Sequence, residues 1–140
     1  MFYAGSPDFN VNLSNWQVSK VTNAESAFRA CQGFEGAGLT NWNTESLTKG
    51  TRMFSSSKLS TDISNWNVEA LSLGHNMFSY TYFFTGSKVA NWNPIKLVVA
   101  TSMFYRSAIG SGLSGLTTGS IEIAAYFLFQ AYNFNDDLVR

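Results

Sequence analysis

The stretch that decides the fold is Asp8-Phe-Asn-Val-Asn-Leu-Ser-Asn-Trp-Gln-Val-Ser-Lys-Val-Thr-Asn23, in which an Asn-Trp pair stands between aliphatic residues. The same pair recurs along the chain, because every tryptophan follows an asparagine. The four tryptophans are Trp16, Trp42, Trp66 and Trp92. Their spacing of 26, 24 and 26 residues indicates an internal repeat, which would determine the architecture of the whole chain.

Two further positions recur at fixed distances from each tryptophan. A phenylalanine follows 12 residues later, at Phe28, Phe54, Phe78 and Phe104. The residue eight positions after the tryptophan is always small: Ala24, Gly50, Gly74, Ala100 and, in a degenerate fifth unit with Gly115-Leu116 in place of Asn-Trp, Ala124. Small residues in a fixed position indicate that a neighbour approaches closely. We expect a Met-Phe pair to pack over each of them.

One unit is too short to bury its own Trp and Phe, whereas stacked units can share a continuous core. The spacing therefore predicts an α/β repeat solenoid, leucine-rich-repeat-like, of about five 24–26-residue units. Each unit would contain a short strand, a short helical or 3-10 turn, and a loop. The expected strands are Leu13–Val18, Leu39–Thr44, Ile63–Val68 and Val89–Ile95. The expected turns are Asn23–Ala30, Gly50–Ser56, Gly74–Tyr80 and Ala100–Ser107.

The repeat also predicts the extent of the domain. We expect a single domain over residues 1–140, with unit landmarks at the four tryptophans and at Leu116. Met1-Phe2 has the spacing of a Met-Phe pair, and Ala131–Leu138 resembles Ser6–Leu13. Both ends therefore cut through units, and we expect a longer parent chain.

The Asn-Trp pairs have two interpretations each. The asparagines are expected to form a buried ladder that bonds the backbone between units, with a ligand-facing row as the alternative. The tryptophans are expected to lie in the core, with an exposed stacking platform as the alternative.

Composition excludes several classes of protein. Lys plus Arg total 9 and Asp plus Glu total 9, so the basic excess typical of nucleic-acid binders is absent. A hydrophobic content of 45% excludes a disordered chain. The one cysteine excludes an internal disulfide. No apolar run reaches the ~18 residues of a membrane span.

The residues offer little for catalysis, and we expect a protein that is not an enzyme, with no cofactor and no metal. His75 is the sole histidine, and Cys31 is expected to be a buried apolar thiol rather than a nucleophile. Asp136-Asp137 are expected to lie in a solvated turn.

Two sets of residues are candidates for binding. The first is a polar face formed by the residues after each tryptophan: Gln17, Asn43, Asn67 and Asn93. It would suit hydrogen bonds to protein or glycan, unless it is merely solvated. The second is an aromatic loop with Tyr80, Tyr82, Phe83 and Phe84. Four aromatic residues in five positions indicate either an exposed docking patch or a locally larger core, and both interpretations stay open.

The stretch Asp8–Asn23 closely resembles the BspA-like surface-protein repeat, also called the mycoplasma lipoprotein-type repeat. Ile63–Val68 and Met53-Phe54 match the same pattern. The resemblance implies a leucine-rich-like solenoid, often on cell surfaces, that serves adhesion or protein binding and has no family-wide catalytic residues. The family's common Asp after Trp is replaced here by Gln17, Asn43, Asn67 and Asn93, which argues against adhesion that depends on cations.

The expected function is therefore a non-enzymatic protein-interaction or adhesion module, a segment of a longer BspA-like repeat protein. The alternative is a structural or accessory subunit packed into a large assembly, including a membrane-associated one. Protein partners are expected, glycan partners stay open, and nucleic acid is not expected. The resemblance favours the cell surface or the extracellular space, with an organellar or membrane-bound assembly as the alternative.

Overall fold

A computed structural model of the chain describes residues 8–113, 116–132 and 134. Among these residues the single regular element is a 3-10 helix, Gly86–Val89. The described part contains no α-helix and no β-strand longer than an isolated bridge. Parallel bridges join Asn23 to Lys49, Lys49 to Leu73, Leu73 to Val99, and Val99 to Ile123. The bridged residues are 24 to 26 positions apart, so successive units lie side by side in the same direction.

Beside these bridges run five parallel stretches, 24–30, 50–56, 74–80, 100–106 and 124–130, which we call the ladder segments. Every second N–H of one segment donates to a carbonyl of the next. Between the first two segments, the N–H groups of Ala24, Ser26, Phe28 and Ala30 bond the carbonyls of Lys49, Thr51, Met53 and Ser55. The same four-bond pattern joins each later pair of segments, with N···O distances of 2.8–3.1 Å throughout.

The intervening N–H groups bond within their own segment. Ala27 donates to the carbonyl of Ala24, and Arg29 donates to that of Ser26. This arrangement requires a left-handed backbone at two positions of every segment, although none of the residues there is glycine. These residues are Ser26, Ala30, Arg52, Ser56, Asn76, Tyr80, Ser102, Arg106, Tyr126 and Gln130, with φ between 51° and 60°. Such a conformation is unfavourable for a residue with a Cβ and persists because the surrounding hydrogen bonds impose it.

The predicted α/β repeat solenoid, leucine-rich-repeat-like, is therefore wrong. The expected helical turns, such as Asn23–Ala30, are not helical, because alternate N–H groups point to the neighbouring segment and left-handed residues interrupt any helix. The expected strands fail as well. Leu13–Val18 contains a tight turn, in which the N–H of Trp16 bonds the carbonyl of Leu13 at 3.0 Å.

Side chains replace strand pairing in these turns. The side-chain oxygen of Asn12 accepts the N–H of Ser14 at 2.9 Å, which stabilises the turn before Trp16. The indole N–H of each later tryptophan donates to a carbonyl of the preceding unit: Trp42 to Leu13 at 3.1 Å, Trp66 to Leu39 at 2.8 Å, and Trp92 to Ile63 at 2.9 Å. The aliphatic residues therefore face the core without forming a sheet.

Two columns of stacked rings fill the core. Phe28, Phe54, Phe78 and Phe104 stack with centroids 5.5–5.7 Å apart and planes within 11° of parallel. The tryptophans stack in the same order at 6.0–6.4 Å. Trp66 and Trp92 are buried, which confirms the expected core position for these two, whereas Trp16 is 44% exposed.

The small position is confirmed as a point of close approach. A Cβ at Gly50 would lie 2.8 Å from the sulfur of Met77, and one at Gly74 would lie 3.2 Å from that of Met103. A methionine of the next unit thus packs on each glycine.

The expected buried asparagine ladder is wrong, since Asn15, Asn41, Asn65 and Asn91 are all exposed. Hydroxyl groups make such bonds between units instead. Thr48 Oγ1 donates to the carbonyl of Thr22 at 2.9 Å, and Ser72 Oγ donates to that of Thr48 at 3.1 Å. The expectations for Met1-Phe2, Gly115, Asp136-Asp137 and Leu138 lie outside the described residues.

Replacing Trp66 by Phe should lower the free energy of unfolding by about 1–3 kcal/mol, because it removes a buried indole hydrogen bond and leaves a void. Trp16→Phe, at the exposed end of the same column, should cost less than about 1 kcal/mol. Urea unfolding of both variants tests the difference. Equal losses would contradict the role of the indole bond to Leu39.

The acid stability of the chain should depend on Asp62. The backbone N–H of Ser64, 2.9 Å from Asp62 Oδ1, and then the Ser64 hydroxyl hold the pKa of this carboxyl below its usual value. Because the folded-state pKa lies below the unfolded one, the carboxylate stabilises the fold above about pH 4, and this stabilisation is lost as the pH falls through the folded pKa.

Asp62→Asn removes the charge but keeps the acceptor that Asn12 uses in the equivalent turn. The wild-type chain should exceed this variant in unfolding free energy by less than about 1 kcal/mol near neutral pH, since the carboxylate is exposed. The difference should shrink at about pH 2, where the carboxyl is protonated. A difference that does not change with pH would argue against the role of Asp62.

Candidate functional site

The aromatic loop divides between the core and the surface. Phe84 is fully buried and stacks on Phe78 with centroids 4.6 Å apart and planes 9° from parallel. Tyr82 and Phe83 are 51% and 57% exposed, and Tyr80 is half-buried. The larger core and the exposed patch are therefore both present, and they are built from different residues of one loop.

Beside the exposed residues lies a groove of about 370 Å³, which we call the first groove. Its lining residues are Gln32, Ser56, Ser57, Lys58, Tyr80, Tyr82 and Phe83. The rings supply apolar area, and the hydroxyl and amide groups supply hydrogen-bonding capacity. This combination suits a ligand that presents both apolar and polar groups.

Lys58 closes one side of the first groove with its charge already balanced. Its ammonium lies 2.6 Å from a carboxylate oxygen of Glu35 and 5.9 Å from the ring centroid of Phe83. Both members of the ion pair are partly exposed, so the pair contributes little to stability. Its consequence for the groove is that Lys58 adds little net charge.

A second groove of about 490 Å³ shares Tyr80 with the first. Its lining residues are Asn76, Tyr80, Ser102, Tyr105, Tyr126 and Phe129. The rings contact one another: Tyr80 lies edge-on to Tyr105 at 5.4 Å, Tyr105 stacks on Phe129 at 5.8 Å, and Phe129 meets Tyr126 edge-on at 5.5 Å. Tyr80, Tyr82, Phe83, Tyr105, Tyr126 and Phe129 together form what we call the aromatic surface.

Arg106 lies against the aromatic surface. The centre of its guanidinium group is 6.0 Å from the ring centroid of Tyr80 and 5.5 Å from that of Tyr105. Its Nε–H donates to the side-chain oxygen of Gln130. Two rings and one amide therefore hold the guanidinium in place, which is the arrangement that cation–π attraction favours.

The ladder segments explain why these residues meet. Tyr80 and Arg106 are the last residues of the third and fourth segments, and both have a left-handed backbone, with φ of 60° and 51°. The N–H of Tyr80 bonds the carbonyl of Tyr105 at 2.9 Å, which places consecutive units in register at this point. The left-handed backbone is thus shared by the whole ladder, while the aromatic and arginine side chains are particular to this part of it.

The predicted polar face is exposed but partly engaged within the chain. Gln17, Asn43, Asn67 and Asn93 all lie at the surface. The side-chain oxygens of Asn43 and Asn67 accept the N–H two residues later, at 3.1 and 3.0 Å, and that of Asn93 accepts the Thr117 hydroxyl at 2.7 Å. These oxygens shape turns, so a binding role for the face stays a prediction.

The remaining chemical candidates are isolated from one another. Cys31 is a buried free thiol, as predicted, and burial raises its pKa. His75 Nε2 lies 2.9 Å from the side-chain nitrogen of Asn76. In the described part of the chain, no group of three or more His, Cys, Asp or Glu side chains could hold a metal ion.

Sequence reasoning missed Tyr105, Arg106, Tyr126 and Phe129. Their positions in the repeat carried the signal, since Tyr105 and Arg106 stand 13 and 14 residues after Trp92 and Tyr80 stands 14 after Trp66. Residues at such equivalent positions come together in the structure although they are distant in the sequence.

Comparison with known proteins identifies one family. Residues 1–114 match the family model described as Mycoplasma protein of unknown function, DUF285. Neither the search of curated proteins nor that of solved structures found a match. In the structure itself, none of the described residues belongs to a helix of sufficient length and apolar character to cross a membrane.

Phe84→Ala should lower the free energy of unfolding by about 3–5 kcal/mol, because it empties a fully buried ring site. Phe83→Ala should cost less than about 1 kcal/mol, since most of that ring faces solvent. Thermal or urea unfolding of the two neighbouring variants measures the contrast. Similar losses for both would mean that the loop is not divided between core and surface.

Proposed function

We propose that this chain, which belongs to the family described as Mycoplasma protein of unknown function, DUF285, is a non-enzymatic protein-interaction or adhesion module. The observation that carries the proposal is the aromatic surface with its two grooves. Large rings exposed together are unusual for a surface that contacts only water, and such patches mark interaction sites.

The composition of the aromatic surface favours a protein partner. Tyrosine, phenylalanine and arginine are over-represented among the residues that dominate binding energy at protein interfaces. Tyrosine offers a large contact area at a low entropic cost, and serine offers adaptable hydrogen bonds. The first groove combines Tyr80 and Tyr82 with Ser56 and Ser57, which supplies both kinds of contact in one place.

The aromatic surface is also held in place before a partner arrives. Tyr105 is fixed between the edge of Tyr80 and the face of Phe129, and backbone bonds between ladder segments fix the units that carry them. Side chains that are already ordered lose less entropy on binding. A surface with these properties can bind a partner without rearranging.

The finer resemblance supports a more specific form of the proposal. The match of Asp8–Asn23 to BspA-like surface-protein repeats favours adhesion and a place within a longer repeat protein. The aromatic surface would then be one contact area of that larger molecule.

A selection of peptides tests the proposed function. A random twelve-residue peptide library displayed on phage is panned against the immobilised full chain, and dissociation constants of the selected peptides are measured by calorimetry. The double variant Tyr82→Ser/Phe83→Ser should bind at least about tenfold more weakly, because each hot-spot residue contributes more than about 1 kcal/mol.

Ile95→Ser is the matched control, since Ile95 is 54% exposed and does not line either groove. This variant should bind as the wild type does, and all variants should show unchanged thermal unfolding. Equal affinity of the double variant for the peptides would overturn the proposal. So would a selection without binders in which immobilised neutral oligosaccharides bind the chain instead.

A further inference from the structure

We infer that the aromatic surface takes a peptide segment in which an Asp or Glu stands beside large apolar residues, with the carboxylate bound by Arg106. The inference rests on the proposed function and specifies the chemistry of the partner. It stands on the charge of the surface, the geometry of Arg106 and the lining of the grooves beside it.

The surface has an unbalanced positive charge. None of the residues that line the two grooves is acidic. Lys58 is neutralised by Glu35, and this is the one ion pair within residues 8–113, 116–132 and 134. Arg106 therefore has no carboxylate partner among the described residues, although it lies against two of the groove rings.

The guanidinium group of Arg106 is oriented and still able to donate. Its Nε–H is used by Gln130, which leaves the terminal nitrogens without an acceptor among the described residues. No buried side-chain nitrogen or oxygen in the described part lacks a hydrogen-bond partner, so these terminal nitrogens face solvent. Two N–H groups in a fixed plane match the two oxygens of a carboxylate.

A stacked arginine is better prepared for this task than a free one. Tyr80 and Tyr105 hold the guanidinium from the side of their rings, at 6.0 and 5.5 Å. Because the group is already oriented, little rotamer freedom remains to be lost when a carboxylate arrives. Contact with rings also lowers its exposure to water, which strengthens the attraction between opposite charges.

The grooves define what flanks the carboxylate. Their volumes of about 370 and 490 Å³ fall in the range of sites that hold compact ligands, about 300–1,000 Å³. Rings and uncharged polar groups, together with the neutralised Lys58, form their linings. Large aliphatic or aromatic side chains next to the acidic residue fit this chemistry. One arginine matches one carboxylate, whereas phosphorylated motifs are usually held by clusters of arginines.

The test uses the same twelve-residue library, panned separately against the wild-type full chain and against Arg106→Gln. Peptides selected by the wild type should carry Asp or Glu next to Leu, Ile, Phe, Tyr or Trp, and those selected by Arg106→Gln should not. A synthetic copy of a selected acidic peptide is then compared with its Glu→Gln counterpart. On the wild type the amide should bind about tenfold to a hundredfold more weakly, as for the loss of a charge-assisted bond.

On Arg106→Gln the acidic and amide peptides should bind equally, because the partner of the carboxylate is gone. Arg52→Gln is the matched control: Arg52 is also a half-buried arginine with a left-handed backbone, φ 55°, and it lines neither groove. It should leave the preference for the acidic peptide unchanged. The preference should also weaken as salt is added.

The outcomes separate this inference from the proposed function. Selected peptides without acidic residues, or an acid preference that survives in Arg106→Gln, would overturn the inference. If those peptides still lose affinity in Tyr82→Ser/Phe83→Ser, the proposed function stands. Peptides that ignore both variants would overturn both.

Discussion

The hydrogen bonds from every second N–H of one ladder segment to the carbonyls of the next are the constraint on which the rest of the structure depends. They fix units of unequal length into one register, because Ala24 bonds Lys49 whereas Gly50 bonds Leu73. Once that register is set, identical residues of successive units face one another. The phenylalanines then stack at 5.5–5.7 Å, and the tryptophans stack beside them. The core follows from the ladder, and the stacking in turn stabilises the left-handed residues that the ladder requires.

The aromatic surface depends on the same constraint. Tyr80 and Arg106 end consecutive ladder segments, so the bond from Tyr80 N–H to the Tyr105 carbonyl also sets the distance between their side chains. Binding groups on a rigid framework keep their geometry without support from a partner. This chain builds that framework from hydrogen-bonded turns rather than from helices or strands, with serine, threonine and asparagine side chains completing the backbone bonds. The abundance of these residue types therefore serves the backbone as much as the surface.

The sequence predicted what repeats but not how the backbone bends. The spacing of Trp66 and Trp92 placed both correctly in the core, and the small residues Gly50 and Gly74 correctly indicated close packing. The left-handed backbone was not predictable, since Ser26 and Ala30 give no sign of it and glycine, the usual indicator, is absent there. Leu13–Val18 has the composition of a strand, but the Asn12 side chain and the Trp42 indole take up its backbone groups. Tyr105 and Arg106 were missed because their contacts with Tyr80 cross 25 and 26 residues of sequence.

The two candidate binding faces differ in what their polar groups still have to offer. The oxygens of Asn43, Asn67 and Asn93 are bonded within the chain, so a ligand at that face would compete with the turns that they stabilise. Arg106 is in the opposite situation, because its contacts with Tyr80, Tyr105 and Gln130 orient it without neutralising it. In a chain with only 13% charged residues and zero net charge, one cation without a carboxylate partner beside two grooves determines the local potential. A partner that brings a carboxylate there gains an ion pair that the free chain does not already make.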